Sequence, residues 1–225
     1  MVERIEGEQT VVATPELRVR VAVADCRTRD GPVRVGATVD VRLPKELPAL
    51  SPGFHMVIGE AMPAAPASSA GVVRVYWNVA RTGAAALVGE LTSRLNAGAV
   101  PFRLKVANHP LRLARCDAAV LYLAADDFPA LRETLLEVAG SLTEHLRPRI
   151  PAFTLELVPG VGLAESVGTG ESFGDRRCTL LADAIVRAHE QGVPGIDAVS
   201  ARFAEAGVRM DAPYLEPSLC GRHVL

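Results

Sequence analysis

The chain has 225 residues, 49% hydrophobic and 22% charged, and carries a formal net charge of −2. This length and composition support a sizeable packed core and exclude a disordered chain. The near-neutral balance excludes a whole-chain field for DNA, RNA or anionic membrane, so an anionic substrate has to be held by a local cluster. Cys26, Cys116, Cys178 and Cys220 form no C-x-x-C pair and no Cys/His cluster at zinc spacing, so no metal or redox motif is expected. The first ten residues are polar and acidic, with no signal-peptide pattern, and no apolar run reaches the roughly 20 residues of a membrane span. The expectation is a cytoplasmic protein with reduced thiols.

Residues 1–10 read as loose. Residues 17–24 (LRVRVAVA) alternate apolar and basic side chains, the pattern of a half-buried strand. Residues 34–43 read as a second strand, and Asp30-Gly31 suggests the turn of a β-hairpin between them. Three prolines in residues 43–54 (LPKELPALSPGF) predict an ordered loop. Residues 61–71 (AMPAAPASSAG) suit a flexible loop. A strand over 73–79 and a helix over 82–96 follow, the helix capped by Thr82, lined by Leu87, Leu91 and Leu95, and stopped at Gly98. Strands are then expected over 101–107, 118–124 and 152–158, with a helix over 127–147 before the last of these. The Gly-rich run 159–174 predicts a loop, and helices follow over 175–191 and 197–207. The fold class is α+β: a mixed or antiparallel sheet with helices packed on it, preceded by a small β-rich region. The division expected is 1–60 for that region and 72–225 for the α+β core, joined by a 61–71 loop.

Side chains alternate faces along a strand. Around residues 73–79, Val73, Val75, Trp77 and Val79 make one apolar face, while Arg74, Tyr76 and Asn78 make the other. Around 102–107, Phe102, Leu104 and Val106 oppose Arg103, Lys105 and Ala107. Two strands flanking one helix usually join one sheet, so these polar faces can coincide. In the helix after the Gly-rich run, Arg177 shares the inward stripe with Leu181, Ala184, Ile185 and Ala188. It sits in the first turn, where N–H groups and the helix dipole favour anions, and a guanidinium there can fork two phosphate oxygens or form a buried ion pair. His55 and His109 are the histidines placed to join a site. No nucleophile elbow, H-E-x-x-H, P-loop or dinucleotide fingerprint is present.

Four segments in this order, VRLPKELPALSPGF (41–54), RVYWN (74–78), PFRLKVANHP (101–110) and GESFGDRRC (170–178), resemble the HopA-type effector family, with a match from about 41 to 214. That family includes type III effectors of plant pathogens, and lyase components of class V lanthipeptide and thioamitide-type ribosomal peptide pathways. Its fold is similar to that of the phosphothreonine lyases. The resemblance implies a cofactor-free and metal-free lyase that removes phosphate from phosphoserine or phosphothreonine in a precursor peptide, leaving dehydroalanine or dehydrobutyrine. It puts Arg74 at a phosphate cation, Tyr76 at the general acid, Lys105 at the base and Arg177 at a phosphate clamp, with Arg103 and Asn78 beside the phosphate. Distant lyases carry histidine where Tyr76 stands, so His55, His109 and a phosphate-bound water are alternative acids. Lysine needs a lowered pKa for that role, which burial and the neighbouring Arg74 and Arg103 favour. The implied partners are a phosphorylated peptide with its leader and a separate kinase. Relatives carry a longer helical region ahead of the first segment, a surface that a partner could supply. Two other readings follow: a phosphopeptide-binding partner of a kinase, without catalysis, and an effector lyase acting on phosphoproteins.

Overall fold

The computed structural model describes residues 1–14, 18–29, 31–42, 45–61, 71–167 and 172–219, leaving out the side chains of 47–50. It divides into two compact units, Met1–Lys45 and Glu46–Leu225. The region expected over 1–60 is thus split, and its last strands belong to the larger unit.

The smaller unit is all β. Strands β1 (Val2–Glu6), β2 (Gln9–Ala13) and β3 (Arg18–Ala22) form an antiparallel sheet, and β4 (Cys26–Thr28) pairs with β5 (Val39–Val41). Residues 1–10, expected to be loose, therefore make a hairpin whose inward residues are Val2 and Thr10. The strand read at 17–24 is β3, but it pairs with β2 rather than with the strand near residue 40. Val2, Val12, Val21 and Cys26 are the buried core of this unit.

The larger unit holds β6 (Glu46–Ser51), β7 (Phe54–Ile58), β8 (Val72–Trp77), α1 (Ala84–Ala97), β9 (Arg103–Ala107), β10 (Ala119–Ala124), α2 (Phe128–Ser141), β11 (Leu155–Val158), β12 (Val161–Ser166), α3 (Phe173–Gln191) and α4 (Gly195–Glu205). Seven strands make one sheet in the order β11-β12-β8-β10-β9-β7-β6, every neighbour antiparallel. The α+β class is as expected, with the antiparallel alternative realised.

Two stretches read as loops are strands. In residues 46–51 the one proline, Pro48, does not prevent pairing because β6 is the edge strand and Pro48 falls in the register shift between Leu47 and Ser51, where a missing N–H leaves no ladder bond unmade. In residues 161–166 the glycine-rich composition masks β12. Gly162 is needed there, since a Cβ would come within 2.6 Å of Thr154 Oγ1. The helix read over 127–147 ends at Ser141 and passes into a 3-10 turn over Thr143–His145. Thr82 does not cap α1: its hydroxyl lies 3.3 Å from His145 Nδ1. The 61–71 loop falls almost wholly outside the described residues.

Helices α1 and α2 cover one face of the sheet. Leu87, Leu91 and Leu95 of α1, with Phe128, Leu135 and Val138 of α2, pack against Val73, Val75, Trp77, Leu104, Leu121 and Leu163. Each fully buried side chain of this size stabilises by about 1.5–3 kcal/mol. The other face is left for chemistry. Helix α3 reaches it only at its first turn, where Phe173 packs with Tyr76, Val120 and Ala164.

Candidate active site

The uncovered face is a grid set by strand register. In one row Tyr76 (β8) stands opposite Val120 (β10), and Val120 opposite Lys105 (β9), with Met56 (β7) beyond. In the next row Arg74 stands opposite Tyr122, and Tyr122 opposite Arg103. The alternation that hides Val73, Val75 and Trp77 beneath the helices therefore turns two cations, a phenol and an amine onto one surface. Together with Asp117, Ser166 and Ser172 they line a cavity of about 370 Å³. That is room for one phosphorylated side chain and its adjoining backbone.

Burial is graded across the grid. Tyr76 and Arg74 are 7% and 9% exposed, Lys105 is half-buried and Arg103 is exposed. Arg74 Nε donates to Ser166 Oγ at 3.0 Å. The guanidinium carbons of Arg74 and Arg103 each lie 5.5 Å from the centre of the Tyr122 ring, so one ring separates and steadies both cations. Lys105 Nζ lies 3.9 Å above the Phe54 ring. Asp117 takes a bidentate pair from Arg115, at 2.7 and 2.9 Å.

The electrostatics separate the two proton-transfer candidates. Desolvation lowers the Lys105 pKa, and Arg74, Arg115 and Arg112 push it the same way, against the opposing pull of Asp117. The lowering expected of this lysine is present, with Arg115 and Arg112 acting where Arg103 was expected. Tyr76 goes the other way. Burial pushes its phenol up to about 12, although Arg74 opposes the shift. Around neutrality Tyr76 is therefore a proton-bearing donor, and Lys105 is the group readier to lose a proton.

The first turn of α3 borders the same cavity. Ser172 caps the helix, its hydroxyl accepting from Asp175 N–H, and it faces the cavity wall. Arg177, one turn further along α3, points inward, as its spacing predicts, and is 1% exposed. It does not line the cavity. Its Nε donates to Pro213 O and its Nη2 to Leu215 O, both at 2.8 Å, because the 212–219 segment passes beneath it. The phosphate clamp expected at Arg177 is thus a structural anchor.

Asn78 also lies outside the cavity. The strand has ended by then, and its Nδ2 donates to Arg149 O at 2.7 Å. Of the two histidines, His55 projects to the face opposite Lys105, with Nε2 3.1 Å from Glu46 Oε2. His109 is exposed in the turn after β9, its Nδ1 accepting from Leu111 N–H. The geometry brings neither to Lys105.

Among the lining residues that escape the sequence reading are the polar side chains of Ser51, Asp117, Tyr122, Ser166 and Ser172. Tyr122 interrupts an apolar run, and its phase with Val120 is the signal that could have placed it on the polar face.

The model of the HopA1 effector protein family matches residues 45–215. Among solved structures, the effector protein from Pseudomonas syringae pv. tomato strain DC3000 superposes with a TM-score of 0.59 at 21% identity, over 75% of this chain and 66% of that one. The effector protein from Pseudomonas syringae pv. syringae strain 61 gives 0.58 at 22%, over 72% and 62%. These likenesses are of fold, and the chain spans less than two thirds of either neighbour's length. No match is found among curated proteins. No helix among the described residues is long and apolar enough to cross a membrane.

Proposed function

The chain belongs to the HopA1 effector protein family, and we propose that its open sheet face is the active site of a cofactor-free lyase that eliminates phosphate from phosphoserine or phosphothreonine in a peptide. One observation carries this reading. Arg74, Tyr76, Arg103 and Lys105 share one cavity, with the phenol holding its proton and the pKa of the amine lowered by burial and the neighbouring arginines.

β-Elimination needs a base for the α-proton, a proton for the departing oxygen and positive charge for the phosphate. Neutral Lys105 takes the α-proton, the C–H electrons form the Cα=Cβ bond, and the Cβ–O bond breaks. A dianionic phosphate leaving unaided would depart as a strongly basic trianion, so the phenol of Tyr76 can protonate it and hydrogen phosphate leaves. Arg74 and Arg103 neutralise the charge from two sides of Tyr122. The products are a dehydroamino acid, hydrogen phosphate, a lysinium and a phenolate, and solvent resets the last two. The substrate we assign is a precursor peptide, phosphorylated by a separate kinase, in the maturation of a ribosomal peptide natural product. That assignment rests on the resemblance of residues 41–214.

A second reading is favoured by the solved neighbours being effector proteins: the same chemistry acting on phosphorylated residues of intact proteins. Mass spectrometry of a phosphoserine peptide, a phosphothreonine peptide and a folded phosphoprotein, each incubated with the pure protein, tests both readings. Dehydration of peptides alone supports the first, and of the phosphoprotein the second. Free serine or threonine means a phosphatase. Unchanged phosphopeptides, with kinase and leader supplied, leave phosphopeptide binding without catalysis.

A further inference from the structure

The smaller unit has its own cavity, of about 520 Å³, that the lyase chemistry does not use. Arg27, on β4, and Arg29, just after it, line it from one stretch of chain, and Arg34 from another. Among the described residues none of the three has a carboxylate within ion-pair distance. Asp40 is the one carboxylate in the lining. It stands directly opposite Arg27 in the β4–β5 register, yet the two do not pair.

Elsewhere in this unit arginines do pair, Arg4 and Arg20 with Glu6 and Arg18 with Glu3. Three unpaired guanidiniums against one carboxylate therefore leave a local excess of positive charge on a chain whose formal net charge is −2. The wall that carries Arg34 is held in place. Gly36 N–H donates to Val2 O at 2.8 Å, Val2 N–H to Ala37 O at 2.9 Å and Ala37 N–H to Arg34 O at 3.0 Å, with Gly36 at φ 83°. Val35, 62% exposed, and Val39 add apolar surface to the same lining. Guanidiniums beside aliphatic side chains suit carboxylates interspersed with apolar residues.

We propose that this cavity binds an acidic, unphosphorylated peptide segment. That the segment belongs to the substrate, as a part of the peptide other than the reacting residue, rests on the lyase reading; the binding itself does not.

The test is fluorescence anisotropy of the full chain with a labelled peptide of alternating glutamate and leucine that carries no phosphate. Arg27→Ala/Arg34→Ala is expected to weaken binding about tenfold or more, and Arg27→Lys/Arg34→Lys to retain part of it. Rising salt is expected to weaken the native protein's binding, because these charges are exposed. Arg74→Ala, on the other unit, is expected to leave the affinity unchanged. All three arginines are exposed, so circular dichroism is expected to report an unaltered fold. Three outcomes overturn the proposal: no binding to the native chain at millimolar peptide, loss with Arg74→Ala but not with the pair, or equal affinity for a short polyuridylate. The probe cannot be dehydrated, so a failed lyase assay with intact binding sinks only the catalytic reading.

Discussion

Arg74 and Ser166 are 92 positions apart in the chain and 3.0 Å apart in the fold, the guanidinium Nε donating to the hydroxyl oxygen. The contact joins two adjacent strands, β8 and β12, and holds one edge of the Arg74 fork. Ser166→Ala releases Nε without touching the charge. The expected result is a rise of a few-fold in KM with kcat nearly unchanged, whereas Arg74→Lys, which loses the planar fork, should lower both kcat and kcat/KM. Steady-state kinetics on a phosphothreonine peptide make the comparison.

Lys105 sets the acid side of the pH profile. Its pKa lies below the ordinary lysine value, and the active form is the neutral one, so kcat/KM rises as pH climbs through that lowered pKa. Asp117 raises the same pKa, so Asp117→Asn should move the rising limb to lower pH. Lys105→Ala should abolish turnover and leave phosphopeptide affinity within a few-fold. If turnover persisted with an unmoved limb, another residue would be the base.

Tyr76 keeps its proton far into the alkaline range, with a pKa of about 12 in the fold. Tyr76→Phe should cost about 10²- to 10⁴-fold in kcat, the usual contribution of a positioned general acid. There is a stability consequence too. The folded pKa is raised above the unfolded value, so native stability is untouched below about pH 10 and falls as pH rises from there towards 12. The Tyr76→Phe protein should lack that part of the fall, measured by urea denaturation at several pH values.

Arg177 separates anchor from clamp. Replacing it with methionine leaves two part-buried carbonyls, Pro213 O and Leu215 O, without their donor, at a cost of about 1–3 kcal/mol. The denaturation midpoint should drop accordingly. A variant of native stability with a raised KM would instead assign Arg177 to the phosphate.

The helix-covered layer offers a control. Leu121, fully buried between β8 and β9, should cost about 2–5 kcal/mol when cut to alanine. Where the variant still folds, its activity should be preserved, because Leu121 faces away from the cavity.

What was legible in the sequence followed from local periodicity. Arg74 and Tyr76 on one strand, and Arg103 and Lys105 on the next, show their shared polar phase within a few residues of chain, and the helix between them makes a common sheet the expected outcome. Arg177 was legible in direction, since its spacing fixes the inward stripe, but not in partner. The carbonyls that take its donors come from a segment more than 30 residues on, and no local pattern marks them. Ser166 was hidden because glycine is read as a loop signal, although at Gly162 the missing side chain makes room for Thr154 rather than for a turn. Strand β6 was hidden by Pro48 and the prolines that flank it, which an edge position tolerates. Asn78 shares the phase of Arg74 and Tyr76, yet the strand stops before it, and alternation says nothing beyond a strand's end.

The alternation that builds the site also sorts the chain's chromophores. Trp77, the single tryptophan, is 0% exposed beneath α1 and α2, while Tyr76, Tyr122 and Tyr214, the three tyrosines, all belong to the cluster on the cavity side. Light absorbed at the red edge, by tryptophan alone, should therefore report unfolding of the helix-covered layer and stay indifferent to what fills the cavity. The tyrosine band should shift when an anion displaces water beside it. Two optical channels, one for integrity and one for occupancy, come with the native chain and need no added label.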